Sequence, residues 1–109
     1  MSNKVMIIGT GNVGASIGFS LVSSHNAINE LVLIDQDQAD AEGEAMDLRD
    51  TLAVSPNFIK IHDGTYEKDS KDTDLVIITA GAAQKKGDET RTELLARNAK
   101  IVKEIVDNL

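Results

Sequence analysis

Three glycines at fixed intervals are the residues of this sequence that most directly indicate chemistry. Gly9, Gly11 and Gly14 stand within VMIIGTGNVGASIG, residues 5–18, which begins as an apolar segment and continues as a helical pattern. With this spacing, the first glycine makes a tight turn, the second lets a pyrophosphate approach the backbone, and the third lets the helix pack closely. Unpaired N–H groups at the helix N-terminus then favour the phosphate charge. The spacing predicts a turn that binds the pyrophosphate of a dinucleotide.

An acidic residue, Asp35, ends the second apolar segment, ELVLID. It follows Gly14 by about 20 residues, where a dinucleotide-binding unit places the group that accepts hydrogen bonds from the adenosine ribose. An acid there favours NAD over NADP, because the 2′-phosphate of NADP would face a second negative charge. No Arg or Lys stands at positions 36–39 to offset that repulsion. The alternative is that the glycines form an ordinary structural turn and Asp35 only ends a strand.

The elements that must position these residues follow from the apolar pattern. Strands are predicted at 4–9, 31–35, 58–61 and 75–80, and helices at 13–24, 39–53 and 90–108. The first, second and fourth strands are apolar almost throughout, which is typical of parallel strands covered on both faces. The prediction is an α/β fold: a Rossmann-type, doubly wound parallel sheet with its first four strands in the order 3-2-1-4. The ligand crevice then lies between the carboxyl ends of strands 1 and 4.

Composition limits the classes of function. A chain of 109 residues with 41% hydrophobic and 27% charged residues is typical of one soluble globular domain. A net charge of -7 disfavours nucleic acids and anionic membranes as partners, and no segment approaches the ~20 apolar residues of a membrane span. The absence of cysteine fits a cytoplasmic protein. The acidic run at 37–50 predicts a solvated helix face, so no metal site is predicted.

The predicted sheet is incomplete for a domain of this type, which adds strands 5 and 6 beside strand 4. Without them, LVIITA at residues 75–80 is a bare apolar edge strand, which favours aggregation. We therefore interpret residues 1–109 as an incomplete N-terminal NAD-binding domain, with the rest of that domain and a substrate domain expected elsewhere in a longer protein.

A polar loop after the fourth predicted strand is expected to be functional. Thr79, Ala80 and Gly81 end the strand with small groups, so that a nicotinamide or its ribose can lie close to the backbone. Residues 82–90 then lead to Arg91 at the start of a helix. Long loops at the carboxyl edge of a parallel sheet usually carry function. The alternative for Arg91 is an ordinary surface residue.

The order of motifs across the whole chain resembles the NAD-dependent L-lactate and malate dehydrogenases. GTGNVG, LVLID, GEAMDL, GTYE and TAGAAQ followed by an arginine occur in the order of that family. The resemblance implies that Val13 and Asp35 contact the dinucleotide, that Tyr66 lies near its adenosine end, and that Gly81 and Ala82 form a turn against it. The complete set of predicted NAD contacts is Gly9, Gly11, Asn12, Val13, Gly14, Asp35, Tyr66, Thr79, Ala80, Gly81 and Ala82.

The resemblance also implies the reaction and the substrate. Gln84 matches the position that reads the substrate side chain, which is Gln in the lactate dehydrogenases and Arg in the malate dehydrogenases. Arg91 matches the loop arginine that closes over the substrate and polarises its C2 carbonyl, where hydride transfer develops negative charge. The implied function is hydride transfer between NADH and a 2-keto acid, with pyruvate giving L-lactate, in a full-length protein that forms a homo-oligomeric dimer or tetramer.

Two departures from the family pattern keep alternatives open. One extra residue lies between Gln84 and Arg91, and another between Tyr66 and Gly81. A reshaped pocket is compatible with a bulkier substrate, such as 2-hydroxyisocaproate. Malate is a further alternative, which Gln84 disfavours.

The catalytic histidine of the family, its aspartate partner and the carboxylate-binding arginine fall beyond residue 109. The resemblance therefore implies that these 109 residues alone are inactive. His25 and His62 match no family motif and are predicted to be structural or surface residues. The alternative from another class is a free-standing nucleotide-binding module.

Overall fold

Four parallel strands form the centre of the computed structural model, which describes residues 3–24, 26–56, 58–80 and 90–109. The strand order is β3-β2-β1-β4, which confirms the predicted 3-2-1-4 order of a Rossmann-type sheet. Along the chain the elements are β1 (Lys4–Ile8), α1 (Asn12–Ser23), β2 (Glu30–Ile34), α2 (Gln38–Thr51), a 3-10 turn (Leu52–Val54), β3 (Lys60–Asp63), α3 (Tyr66–Asp69), β4 (Leu75–Ile78) and α4 (Arg91–Asn108).

Both faces of the sheet are covered, as the apolar strands predict. Val5 and Ile7 of β1 point to the face that packs against α1 and α2. Met6 and Ile8 point to the opposite face, where Ile105 of α4 packs. All five residues of β1 are buried, so this strand is the middle of the core. The glycine turn that follows it is therefore held on a rigid strand.

The third strand begins later than predicted. Phe58, which suggested the start of a strand by its aromatic side chain, is fully exposed and precedes β3. The observed strand KIHD buries Ile61, while His62 lies on the face opposite. The exposed Phe58 explains why the predicted start of the strand was wrong, and on the second face of the observed strand His62 contacts Glu30.

The single-turn helix α3 was not predicted. Its N-cap is Thr65, whose hydroxyl accepts a hydrogen bond from Lys68 N at 3.2 Å. The Asp69 carboxylate accepts a bond from Thr65 N at 3.0 Å, and its other oxygen lies 3.2 Å from Lys4 Nζ. The Thr65 cap is a local signal of this turn, whereas its contact with Lys4 of β1 could not be read from the local sequence.

Helix α2 carries the acidic run. Asp37 is its N-cap and accepts bonds from Ala39 N at 3.0 Å and from Asp40 N at 3.4 Å. The helix buries Ala41 and Ala45 against the sheet, and most of its acidic side chains are exposed, as the prediction of a solvated face requires. None of the described helices is long and apolar enough to cross a membrane.

Candidate cofactor-binding site

A cavity of about 550 Å³ opens at the carboxyl ends of β1, β2 and β4. This is the position at which doubly wound sheets bind their ligands, and the volume suits a small-molecule site. The loops after the three strands form one side of the cavity, and α4 forms the other. The lining residues are Ile8, Gly9, Thr10, Gly11, Ile34, Asp35, Gln36, Asp40, Tyr66, Thr79, Ala80, Ile101, Glu104, Ile105 and Asn108.

Two of the three glycines are required by the fold itself. Gly9 has a φ of 105°, a conformation that residues with a side chain rarely adopt. A Cβ on Gly9 would also lie 2.7 Å from Ala80 N. A Cβ on Gly14 would collide with the carbonyl oxygen of Gly9, because α1 packs directly on the turn. The structure thus places the first and third glycines where the turn and the helix packing need them.

Gly11 differs from the other two because the protein leaves it open space. A Cβ built on Gly11 meets no atom of the described residues within 4 Å. Gly11 is also the N-cap of α1, whose first turn carries no acidic residue. Packing among the described residues therefore does not explain a glycine here, whereas close approach of an external group to the backbone does. The N-terminus of α1, which has no side-chain cap, and the positive end of its dipole suit an anion.

Asp35 is held as an ionised acceptor in the cavity wall. Its Oδ2 accepts bonds from Thr10 N at 2.7 Å and from the Thr10 hydroxyl at 2.8 Å, and its Oδ1 accepts a bond from Asp37 N at 2.9 Å. Partial burial acts to raise the pKa of Asp35, but the hydrogen bonds from Asp37, Thr10 and Gln36 outweigh it, so the pKa lies below its ordinary value. The carboxylate therefore stays charged at neutral pH.

Tyr66 lies in the same wall at the start of α3 and is half-buried. Partial burial and the negative charge of Asp35 both raise the pKa of the Tyr66 hydroxyl. The hydroxyl is therefore protonated at neutral pH and can donate a hydrogen bond. Tyr66 packs against the second core cluster, and with Ile101 and Ile105 it lines the cavity, which gives the cavity an apolar surface.

Thr79 joins the end of β4 to the glycine turn. Its hydroxyl donates to the Gly9 carbonyl oxygen at 2.9 Å, and its backbone N–H donates to Ile8 O at 2.8 Å. The Thr79 hydroxyl is thus engaged inside the protein, and its contribution to the cavity is to fix the shape of the turn. Ala80 lines the cavity beside it with a small side chain.

Arg91 is the first residue of α4 and is exposed. Thr90 caps this helix by accepting a bond from Glu93 N at 3.1 Å. A cation at a helix N-terminus opposes the macrodipole, which typically costs about 0.3–1 kcal/mol. Helix stability therefore does not explain an arginine at this position. Together with the positive end of the helix, its charge suits a ligand that is an anion.

A polar cluster on the α4 side of the sheet contains the one group of described side chains spaced to hold a metal ion, Glu30, His62 and Asp69. His62 Nε2 lies 2.6 Å from Glu30 Oε2. Lys4 Nζ is buried and lies 3.2 Å from Asp69 Oδ1 and 2.7 Å from Asp72 Oδ1. Because the Lys4 ammonium already supplies the positive charge that Asp69 needs, we interpret the cluster, including His62, as structural.

A comparison with protein families identifies the family of this chain. The family model for the lactate/malate dehydrogenase NAD-binding domain matches residues 3–109. The chain belongs to this family. The resemblance stated from the motifs is therefore confirmed over nearly the whole chain.

Two lactate dehydrogenases are among the relatives of this chain. The chain is 49% identical over 104 residues to L-lactate dehydrogenase 2 of Bacillus cereus (strain ATCC 10987 / NRS 248), covering 95% of this chain and 32% of that protein. A solved lactate dehydrogenase from a Medee basin deep-sea metagenome library is 51% identical, with a TM-score of 0.90, over 99% of this chain and 34% of that one. The chain spans about a third of these relatives.

A solved malate dehydrogenase from Archaeoglobus fulgidus, in complex with NADH, is more distant. It is 33% identical, with a TM-score of 0.85, over 96% of this chain and 35% of that one. The fold of this chain therefore also occurs in a relative whose structure was solved with NADH.

The structure brings most of the predicted contacts of this dehydrogenase domain into one cavity. These are Gly9, Gly11, Asp35, Tyr66, Thr79 and Ala80. Asn12 and Val13 lie in the first turn of α1 and line a shallow surface groove instead, and Gly14 acts through packing. Arg91 is not in the cavity wall. Three other predicted residues, Gly81, Ala82 and Gln84, lie outside the described residues, as does His25.

Sequence reasoning missed several lining residues. Thr10 was not predicted as a site residue. Its position between Gly9 and Gly11 was the signal that it lies close to the site. Ile101 and Ile105 of α4 also line the cavity, and their spacing of one helical turn gave the signal of an apolar stripe. The stripe alone did not indicate which part of the sheet it covers.

Proposed function

We propose that this chain is the NAD-binding part of an L-lactate dehydrogenase that reduces pyruvate to L-lactate with NADH. The observation that carries the NAD-binding part of the proposal is the Asp35 carboxylate, held by hydrogen bonds from Thr10 and Asp37, beside the open backbone of Gly11 in one cavity. An L-lactate dehydrogenase at 49% identity and a solved lactate dehydrogenase at 51% identity support the choice of branch.

The described residues fit the pyrophosphate and the adenosine half of NAD. Open space at Gly11 and the N-terminus of α1 suit the pyrophosphate. Asp35 offers carboxylate oxygens to ribose hydroxyls, and the apolar surface of Ile101 and Ile105 suits the adenine ring. When bound, NADH supplies the hydride, and the role of this chain is to bind and orient it.

The substrate assignment rests on the loop before α4. We propose that Gln84 reads the substrate side chain and that Arg91 stabilises the negative charge developing on the carbonyl oxygen. Gly81 and Ala82 are proposed to form the turn against the cofactor. Arg91 is exposed at the start of α4, so its guanidinium is accessible to a substrate that binds at the carboxyl edge of the sheet.

Malate dehydrogenase is the second candidate, because one solved relative of high structural similarity is a malate dehydrogenase. The glutamine at position 84 disfavours it, since an amide cannot neutralise the second carboxylate of oxaloacetate. Pyruvate and oxaloacetate reduction rates separate the two candidates.

Replacing Asp35 with Ser tests the cofactor assignment. In the full-length protein, we expect the preference for NADH over NADPH, measured as the ratio of kcat/KM, to fall at least about tenfold. The physical reason is that Ser removes the charge that repels the 2′-phosphate but retains a hydroxyl for the ribose.

Asp37→Ser is the matched control, because it removes an equal charge from the same loop and leaves a residue that still caps α2. Its ratio should stay within about twofold of the unaltered protein, since Asp37 is exposed and outside the cavity wall. Equal kcat/KM values for the two cofactors in the unaltered protein would contradict the assignment.

A further inference from the structure

Both oxygens of the Asp35 carboxylate are engaged by donors of the protein, and one residue supplies two of those donors. Thr10 N and the Thr10 hydroxyl both donate to Oδ2, while Asp37 N donates to Oδ1. A carboxylate whose two oxygens are bound from two different loops has little freedom to rotate about its side-chain bonds. The orientation of the Asp35 carboxylate in the cavity therefore depends on Thr10.

We propose that Thr10 is a positioning residue for cofactor selection, whose hydroxyl fixes the Asp35 carboxylate against the glycine turn. This inference rests on the proposed use of Asp35 to accept the ribose hydroxyls of NADH. With the carboxylate fixed, its charge stays in the cavity wall and opposes a 2′-phosphate. With the Thr10 hydroxyl removed, Oδ2 keeps one donor, and the carboxylate can turn away from a phosphate group.

The hydroxyl is separable from the packing that joins the two loops. Gly9 N donates to Ile34 O at 2.7 Å, so the turn after β1 is tied to the end of β2 by a bond that does not involve Thr10. The backbone N–H of Thr10 also remains whatever side chain stands there. Loss of the hydroxyl should therefore loosen the carboxylate without releasing the turn.

The test is the variant Thr10→Val in the full-length protein, because valine has nearly the same shape and lacks the hydroxyl. The dissociation constants of NADH and NADPH are measured by fluorescence titration, which requires no substrate. We expect the ratio of the NADPH constant to the NADH constant to fall about tenfold, the scale for losing a hydrogen bond to a charged group. Thr10→Ser, which restores a hydroxyl, should keep the ratio within about twofold of the unaltered protein.

Thr79→Val is the matched control, since its hydroxyl bonds the same turn through the Gly9 carbonyl but does not touch Asp35. It should weaken both cofactors equally and leave the ratio unchanged. In a background of Asp35→Asn, Thr10→Val should change the ratio no further, because the charge that it positions is gone.

Two results would overturn the proposal, and they differ in what they reject. If Asp35→Asn lowers the ratio but Thr10→Val weakens both cofactors equally, Thr10 is only structural and the role of Asp35 stands. If Asp35→Asn leaves the ratio unchanged, selection by Asp35 is wrong, and the positioning role of Thr10 falls with it.

Discussion

Replacing Arg91 with Gln lowers kcat for pyruvate reduction by about two to three powers of ten in the full-length protein, on the scale of losing one oxyanion donor. The guanidinium acts on charge that develops in the transition state, so the dissociation constant of NADH should change by less than about twofold. The position of Arg91 supports this role, because a cation at the N-terminus of α4 does not stabilise the helix.

The control is Lys100→Gln, which also removes a positive charge from α4, at an exposed position outside the cavity wall. Its kcat should stay within about threefold of the unaltered protein. Steady-state kinetics with pyruvate and a separate NADH titration divide the effect between kcat and binding. A normal kcat in Arg91→Gln would make Arg91 a surface residue and remove it from the site.

Replacing Gln84 with Arg should move the preference from pyruvate toward oxaloacetate. A guanidinium at this position can pair with the second carboxylate of oxaloacetate, and it is left desolvated and unpaired when the substrate carries a methyl group. A charge-assisted bond contributes roughly 1.5–3 kcal/mol, and the unpaired charge costs a comparable amount. The ratio of kcat/KM for oxaloacetate to pyruvate should therefore rise at least about a hundredfold.

Gln84→Met is the control, because it keeps the length of the side chain and adds no charge. It should give no gain in oxaloacetate reduction. If the ratio in Gln84→Arg stays within a few fold of the starting protein, another residue reads the substrate, and the assignment returns to an unspecified 2-hydroxy acid.

The part of the fold that follows from local pattern was predictable. Apolar strands separated by helical patterns fixed the parallel sheet and its order, since right-handed crossovers leave few topologies. The start of β3 was not predictable, because Phe58 is apolar yet exposed. The strand that follows is polar, and its His62 contacts Glu30 of β2. Helix α3 has a local signal in its Thr65 cap, but the contact of Asp69 with Lys4 joins residues that are distant in sequence and could not be predicted from it.

The site residues likewise fall into those that the local sequence predicts and those that depend on tertiary packing. The glycine spacing and the strand-end acid placed Gly9, Gly11 and Asp35 in the cavity, because both signals lie next to the strands that position them. The contribution of Thr10 depends on two loops meeting, and that of α4 depends on where the helix packs. Periodicity shows which face of a helix is apolar, but it does not show which strands that face covers.

The most direct test of the proposed function is the rate of NADH oxidation by the full-length protein with pyruvate, oxaloacetate and a branched 2-keto acid. We predict the highest kcat/KM for pyruvate, at least about tenfold above oxaloacetate, since a neutral Gln84 leaves the second carboxylate unpaired. A higher value for oxaloacetate or for the branched keto acid would contradict the lactate dehydrogenase assignment, and so would the absence of NADH oxidation with all three.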